Sequence, residues 1–321
     1  MNKVLLVRLS SMGDLIHTFP AIQDLSVARP DISLSWLCEE AFTDIAKLHP
    51  FVQSVYPMAW RRWRKTLWQK QTRQAISSLQ QQLQTSKFDF VVDSQSLIKS
   101  ALFANMAKAP VYGLDKHSAR ESLASMFYQK KLAVAKGQLA IERNRQLFAQ
   151  IFNYPIEPKI VFGAKVSTTM DDLPWRVSSD YAVLLHATSK PSKLWSEENW
   201  QQLAQALWQQ KGLVSYLPWG NEEEKLRAQR LSKEHSFIHV CPKLTLKEAA
   251  ILLQGSCVVV GVDTGLLHLA NALNKPLCGI YTDTNPELTG VVPSECAVNL
   301  GGVNAQVSVE QVLDVLEQVM V

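Results

Sequence analysis

Short apolar runs recur along this chain, each closed by small or polar residues and followed by a stretch of helical periodicity. The first is "KVLLVRL", which gives way to "SSMGD" and then to "LIHTFPAIQDLSVAR". "ISLSWLCE", "FDFVVDSQ" and "VYGLD" repeat the theme in the first half, with "LIKSALFANMAK" as a helix between the last two. Apolar runs this short that do not alternate with polar residues read as strands buried on both faces. Such strands need helices on both sides of the sheet. Strand–helix alternation therefore specifies an α/β fold with a doubly wound parallel sheet.

The pattern stops and then restarts. Around "NYPIEPKIVFG" and "TTMDDLPWRVSS", prolines and polar residues take over, as in a linker. Beyond them "DYAVLLHAT", "LVSYLPWG", "SCVVVGVD" and "PLCGIY" are new strands. The helices between include "SEENWQQLAQALWQQK", opened by Ser196 and closed by Gly212. This organisation predicts two α/β domains, 1–160 and 180–305, joined by a linker at 161–179. A last helix at 306–321 has a sequence that lets it pack on either domain. Two such domains make a cleft, and ligands of these sheets sit beyond the carboxyl ends of the strands.

No apolar run reaches the roughly 18–20 residues of a membrane span. "VLLV", interrupted by Arg8, is not a secretory leader. A cytoplasmic protein is expected. The five cysteines, Cys38, Cys241, Cys257, Cys278 and Cys296, form no C-x-x-C pair and argue against a zinc site or a disulfide framework. The net charge of +4 hides an asymmetry: Ile45–Lys87 holds eight Lys or Arg and no Asp or Glu. The other 25 of the 33 basic residues face 29 acidic ones, so the excess positive charge is local. A local basic block suits an anionic partner: a phosphorylated ligand, a membrane surface or nucleic acid.

Four constellations carry possible chemistry. In "SSMGD", Gly13 permits a tight turn or close ligand approach, and Asp14 falls at a helix start. Asp14 is then either an N-cap or a carboxylate base. In "VVVGVDTGLLHLANAL", Asp263, Thr264 and Gly265 stand where a strand becomes a helix. His268 lies one turn on, along the same face. This is an ordinary cap, or an anion site made by helix N-terminal amides. In "LLHATSKPSKLWSEENW", His186, Thr188, Ser189 and Lys193 crowd a polar loop, where a lysine can offset charge on a departing phosphate. Glu222, Glu223 and Glu224 after "LPWG" favour a helix start, or accept hydrogen bonds from a ribose. In "AWRRWRKTLWQKQTR", Arg61, Arg62, Arg64 and Lys65 alternate with Trp60, Trp63 and Trp68, which suits lipid headgroups or stacked bases. Arg120 in "KHSARESL" is placed with this basic surface. No G-x-G-x-x-G, P-loop or nucleic-acid-binding motif is present.

Taken in order, "SSMGDLIHTFPA", "WRRWRK", "HATSKPSKLWSEENW", "LPWG" and "VDTGLLHL" resemble the ADP-heptose glycosyltransferases of lipopolysaccharide inner-core synthesis. "SSMGD…H" is closer to the heptosyltransferase I group than to the second heptosyltransferase. The resemblance implies a GT-B fold, with two Rossmann-like domains facing across a cleft that closes for reaction. It implies an inverting transfer of heptose from ADP-heptose to a Kdo residue of Kdo2-lipid A, at the inner-membrane surface, with no nucleic-acid partner. Asp14 matches the base and Lys193 the lysine on the donor phosphates. Asp263, Thr264, Gly265 and His268 match the donor turn, joined by Gly13, Thr188 and Ser189. Glu224 is assigned to the ribose, with Glu223 as the alternative, and Leu244 to the adenine pocket. Arg61, Arg62, Arg64, Lys65 and Arg120 match the acceptor surface. No metal or cofactor is implied, and no D-x-D pair is placed to hold a metal. The rival readings are a transferase with another nucleotide sugar or acceptor, heptosyltransferase II-like, and a non-catalytic module for anionic lipid.

Overall fold

A computed structural model describes residues 2–175, 177, 180–188 and 190–320. The chain divides into two units, Met1–Lys165 and Val166–Val321, with the break inside the 161–179 segment. The first unit runs β1 (Lys3–Val7), α1 (Met12–Ile16), α2 (Phe19–Ala28), β2 (Ser33–Glu39), α3 (Thr43–Ala46) and β3 (Val52–Met58). It continues through α4 (Trp60–Trp63), α5 (Lys70–Thr85), β4 (Phe90–Asp93), α6 (Ile98–Asn105), β5 (Val111–Leu114), β6 (Lys130–Leu132) and α7 (Ala140–Phe152). Its six strands are all parallel, in the order β3-β2-β1-β4-β5-β6. Val4, Leu5, Leu6 and Val7 are all fully buried, so both faces of β1 are covered, as its unbroken apolar sequence requires.

The second unit opens with β7 (Tyr181–Leu185), α8 (Glu197–Lys211), β8 (Val214–Leu217), α9 (Glu222–Ser232), β9 (Ile238–Val240) and α10 (Leu246–Gly255). It closes with β10 (Val258–Val262), α11 (Gly265–Ala272), β11 (Leu277–Tyr281), α12 (Pro286–Thr289), β12 (Ala297–Gly301) and α13 (Val309–Val319). The strand order β12-β11-β10-β7-β8-β9, read from the other edge, repeats that of the first unit. Both sheets therefore reverse winding once, between β1 and β4 and between β7 and β10. In open α/β sheets that reversal is where ligands bind. The last helix belongs to the second unit: Val312, Leu316 and Val319 join the core formed with β10, β11 and α8. All five cysteines are free.

The expected single helix after β1 is two. Pro20 has no N–H to give the carbonyl of Ile16, and its ring crowds that carbonyl. α1 therefore ends at Ile16, and Pro20 is accommodated in the first turn of α2. The break leaves α1 as one short turn beside the carboxyl end of β1.

Candidate active site

The loop after β1 is fixed from several sides. The indole of the buried Trp36 donates to the Arg8 carbonyl at 3.1 Å. Gln95, following β4, accepts from the Leu9 N–H at 2.7 Å and donates to the Ser10 carbonyl at 3.2 Å. The N-cap of α1 is Ser11, which corrects the cap reading of Asp14. Asp14 is the third helical residue, and its carboxylate reaches back to the Ser11 N–H at 2.9 Å and the Ser11 hydroxyl at 3.0 Å. Gly13 lies in helical backbone inside α1 rather than in a tight turn. The other Asp14 oxygen accepts from Arg8 at 3.1 Å. Burial pushes the Asp14 carboxyl up, but the Arg8 charge and the Ser11 hydrogen bonds outweigh it, and its pKa is lowered. Asp14 is thus held ionised and oriented.

Asp14 lines a cavity of about 280 Å³ with Arg8, Ser94, Gln95, Ser96, Arg120, Arg143 and Asn144. The floor is organised by Asp93 at the end of β4, which is fully buried. One of its oxygens accepts from the N–H groups of Gln95 (2.9 Å) and Ser96 (3.1 Å). The other accepts from Ser100 (2.8 Å) and Tyr128 (2.7 Å). Burial raises the Asp93 pKa despite these bonds. Tyr128 reaches Asp93 by lying on Gly113, where a Cβ would come within 2.6 Å of its ring. Asn144 of α7 donates to the His17 carbonyl at 3.0 Å, tying α7 to the α1–α2 junction. Arg8, Ser94, Gln95 and Arg143 escaped the sequence reading. The usable signal was position: Arg8 and Ser94 follow β1 and β4, the strands flanking the winding reversal.

The basic block forms α4 and the turn after it. Arg61, Arg62, Arg64 and Lys65 are exposed. The interleaved indoles do not share this face. Trp63 is buried, and both Trp60 and Trp63 pack on Phe103, with ring centroids 5.7 and 6.4 Å away. Only Trp68 of the three is fully displayed, at 93% exposure. Arg62 pairs with Glu40 at 3.0 Å, and the Arg61 N–H binds Glu39 at 2.9 Å. Burial lowers the Lys99 pKa, and Arg61 and Arg64 lie near enough to depress it further. Arg120 lines the Asp14 cavity.

In the second unit the corresponding loops follow β7 and β10. Lys193 and Asp263, far apart in sequence, meet at 2.6 Å. The same Asp263 oxygen accepts from the Thr284 hydroxyl at 3.0 Å, and the Asp263 carbonyl accepts from Thr188 at 2.8 Å. His268 Nε2 lies 4.0 Å from the second Asp263 oxygen. Thr264 is the N-cap of α11, its side chain makes no capping bond, and the Leu267 N–H goes to the Thr264 carbonyl at 3.1 Å, so the N–H groups of Gly265 and Leu266 are the first-turn donors an anion could meet. Ser189 lies outside the described residues.

A second cavity, of about 200 Å³, is lined by Thr188, Pro191, Leu194, Asn221, Glu223, Glu224 and Arg227, among others. Glu224 accepts from the Gly220 N–H at 2.7 Å and from Asn221 at 2.8 Å. Both Glu223 and Glu224 face this cavity, so the alternatives for a ribose-binding acid stay adjacent. Leu244 is half-buried on the β9–α10 connection, and is not part of the cavity wall. Its loop is tied to β8 by Trp219, whose indole donates to the Cys241 carbonyl at 2.7 Å. His186 is not a surface residue: it is fully buried, and burial pushes its pKa down to about 4, leaving the ring neutral.

Two six-stranded parallel sheets, each with polar and charged loops at its winding reversal, have the architecture of GT-B proteins. Residues 76–315 match the model for glycosyltransferase family 9 (heptosyltransferase), and the chain belongs to that family. A Pseudomonas aeruginosa lipopolysaccharide heptosyltransferase 1 is 43% identical over 290 residues, 90% of this chain and 81% of that protein. The Escherichia coli K12 protein of the same name is 40% identical over 289 residues, 90% of each chain. The structure of E. coli heptosyltransferase WaaC with ADP-2-deoxy-2-fluoro heptose superimposes with a TM-score of 0.87 at 36% identity, covering 98% of this chain and 99% of that one.

Proposed function

We propose that this chain transfers heptose from ADP-heptose to a Kdo residue of Kdo2-lipid A, with inversion at the anomeric carbon. The observation that carries this reading is the full-length match to a relative solved with an ADP-heptose analogue. The two loop constellations give it a mechanism. Asp14 accepts the proton of the acceptor hydroxyl as that oxygen attacks the anomeric carbon. The bond to the ADP oxygen breaks on the opposite face. Such assistance is worth about 10²–10⁴-fold.

The charge that develops on the leaving diphosphate falls to the second unit. Lys193 supplies the cation, and the α11 amides supply N–H donors. Asp263 holds the lysine ammonium in place, so little reorganisation is needed when the donor arrives. Glu224 or Glu223 takes the ribose hydroxyls, and Leu244 packs on the adenine. Thr188, Ser189 and Gly13 complete the donor contacts.

The exposed Arg61, Arg62, Arg64 and Lys65 receive the anionic groups of the lipid acceptor at the membrane surface. Leu102, Leu123 and Met126 support that reading. They are exposed on α6, whose Phe103 packs on Trp60 and Trp63 of the basic segment, and on the 122–127 turn beside α6. Among the described residues no helix is long and apolar enough to cross a membrane; the attachment proposed is peripheral, through these basic and apolar side chains.

The deciding assay is ADP release from ADP-heptose with and without Kdo2-lipid A, with the anomeric configuration of the product read by NMR. Acceptor-dependent release and an inverted product are expected. Folded protein that releases no ADP, or releases it equally without acceptor, refutes the reading.

A further inference from the structure

The loop that carries Lys193 is held from two sides. Towards β11, the Ser192 hydroxyl donates to Asp283 at 2.6 Å, and Thr282 donates to the Ser192 carbonyl at 2.9 Å. On the other side stands Arg227 of α9. One arm of its guanidinium donates to the carbonyl of Trp195, two residues past Lys193, at 2.6 Å. The other arm donates to Glu197, the first residue of α8, at 3.2 Å. Trp195 is itself fixed: its indole donates to the Val307 carbonyl at 2.8 Å and packs edge-on against Trp200, with ring centroids 5.0 Å apart. The guanidinium fork therefore ties the lysine loop to α9.

That helix begins with the three glutamates. Arg227 lies three residues beyond Glu224, on the same helix face. Both line the cavity of about 200 Å³, and Thr188, Pro191 and Leu194 of the loop line it as well. One wall thus comes from the loop and one from α9, and Arg227 bridges them. His186, fully buried at the end of β7 where the loop starts, lies near enough for the Arg227 charge to add to burial in lowering its pKa.

Stability alone does not call for an arginine here. Its side chain is 13% exposed, and its Nε–H is buried without a hydrogen-bond partner among the described residues. A buried ion pair with a donor left over adds little to stability, and apolar side chains of similar volume often do as well. Glu197 does not depend on Arg227 either, since Arg230 reaches the same carboxylate at 2.7 and 3.1 Å. The bond to the loop carbonyl is the part that Arg227 supplies.

We infer that Arg227 is a positioning residue for the donor: its fork sets the spacing between the loop that offers Lys193 to the diphosphate and the α9 carboxylate that takes the ribose, so that one nucleotide meets both at once. The inference rests on the proposed roles of Lys193 and of Glu224 or Glu223. Two contacts to one ligand reinforce each other only when the geometry lets both be made together. Asp263 aims the lysine ammonium, and Arg227 fixes where the loop stands. Arg227 acts through the loop and needs no contact with the nucleotide.

The test is calorimetry on the full chain with three probes. ADP spans both contacts, adenosine carries only the ribose side, and inorganic pyrophosphate only the phosphate side. Arg227→Met should weaken ADP by about tenfold and leave adenosine and pyrophosphate each within about twofold. Arg227→Lys keeps the charge but can make only one of the two bonds, and should fall between. Arg230→Met removes the other partner of Glu197 and should stay within about twofold on ADP. A merely structural role would weaken all three probes together. Equal weakening of the three by Arg227→Met, unchanged ADP affinity, or an equal loss in Arg230→Met overturns the inference. Lys193→Met on pyrophosphate, and Glu224→Gln and Glu223→Gln on adenosine, check the reading beneath it. If these variants bind like wild type, the assigned contacts fail. If they weaken their probes while Arg227→Met spares ADP, the contacts stand and the positioning role fails.

Discussion

Replacing Asp14 by Asn separates what the carboxylate does for the fold from what it does for the reaction. The amide keeps an oxygen for the Ser11 N–H, so the helix start survives. It loses the negative charge 3.1 Å from Arg8, whose side chain is only 9% exposed against 26% for Asp14. A hydrogen bond to a charged group is worth about 1.5–3 kcal/mol, and the partial exposure of Asp14 argues for the lower end, about 1.5–2 kcal/mol. In a unit of this size each kcal/mol moves Tm by roughly 2–4 °C, so a drop of about 3–8 °C is expected. Turnover should fall by about 10²–10⁴-fold, far more than a partly destabilised but folded enzyme would lose. The pH dependence adds a check. Burial raises the Asp14 pKa, but Arg8 and Ser11 overcome it, so the folded-state value lies below the unfolded one. Its stabilisation is complete above the ordinary aspartate value of about 4 and is lost as pH falls through the lower folded value. The Tm gap between wild type and variant should therefore close on acidification. Thermal melts across pH and acceptor-dependent ADP release measure both effects. A variant with the expected Tm loss but near-normal turnover would make Asp14 a structural residue only and refute the mechanism.

Three further outcomes follow from the geometry. Lys193→Met leaves Asp263 without its cation and should cut turnover by about 10²–10³-fold, read by ADP release at saturating donor; unchanged turnover removes Lys193 from leaving-group stabilisation. Glu224→Gln and Glu223→Gln should differ in ADP affinity by calorimetry. The variant of the ribose-binding residue loses about tenfold and the other little, and if both keep wild-type affinity neither binds the ribose. Leu123→Ser with Met126→Ser should weaken binding to anionic vesicles. Arg61→Ala with Arg64→Ala should weaken it more at low salt, and vesicle binding indifferent to all four changes would refute the surface assignment.

The central strands were readable because burial on both faces writes an unbroken apolar run, as in Val258–Val262. The sheet edges were not. β3 is half-buried or exposed along almost all its length and carries Pro57, while β6 and β9 have three residues each. The break between α1 and α2 was signalled by Pro20 but needed its effect on Ile16 to be worked out. Among site residues, Asp14, Lys193 and Asp263 stand in local motifs. Their partnerships do not, because Arg8–Asp14 depends on loop geometry and Lys193–Asp263 joins residues 70 apart. Arg8, Ser94 and Arg143 come from three separate segments, and only the strand order brings them to one cavity. The alternation of Trp and Arg in "WRRWRK" misled because a short helix turns Trp60 and Trp63 inward and leaves the arginines outside.

The order of the sheets along the chain has a consequence for synthesis. Every strand of the first sheet precedes Lys165, every strand of the second follows it, and the final helix packs into the core of the second unit. No strand made late is needed to finish the first sheet. The first sheet can close while the ribosome is still producing the rest, about 150 residues that take roughly 8–30 s at 5–20 residues per second. That interval exceeds the milliseconds to seconds in which small two-state domains fold. The strand edges and apolar helix faces of the first half are then paired before those of the second emerge, which limits the time when two unfinished parallel sheets are exposed together.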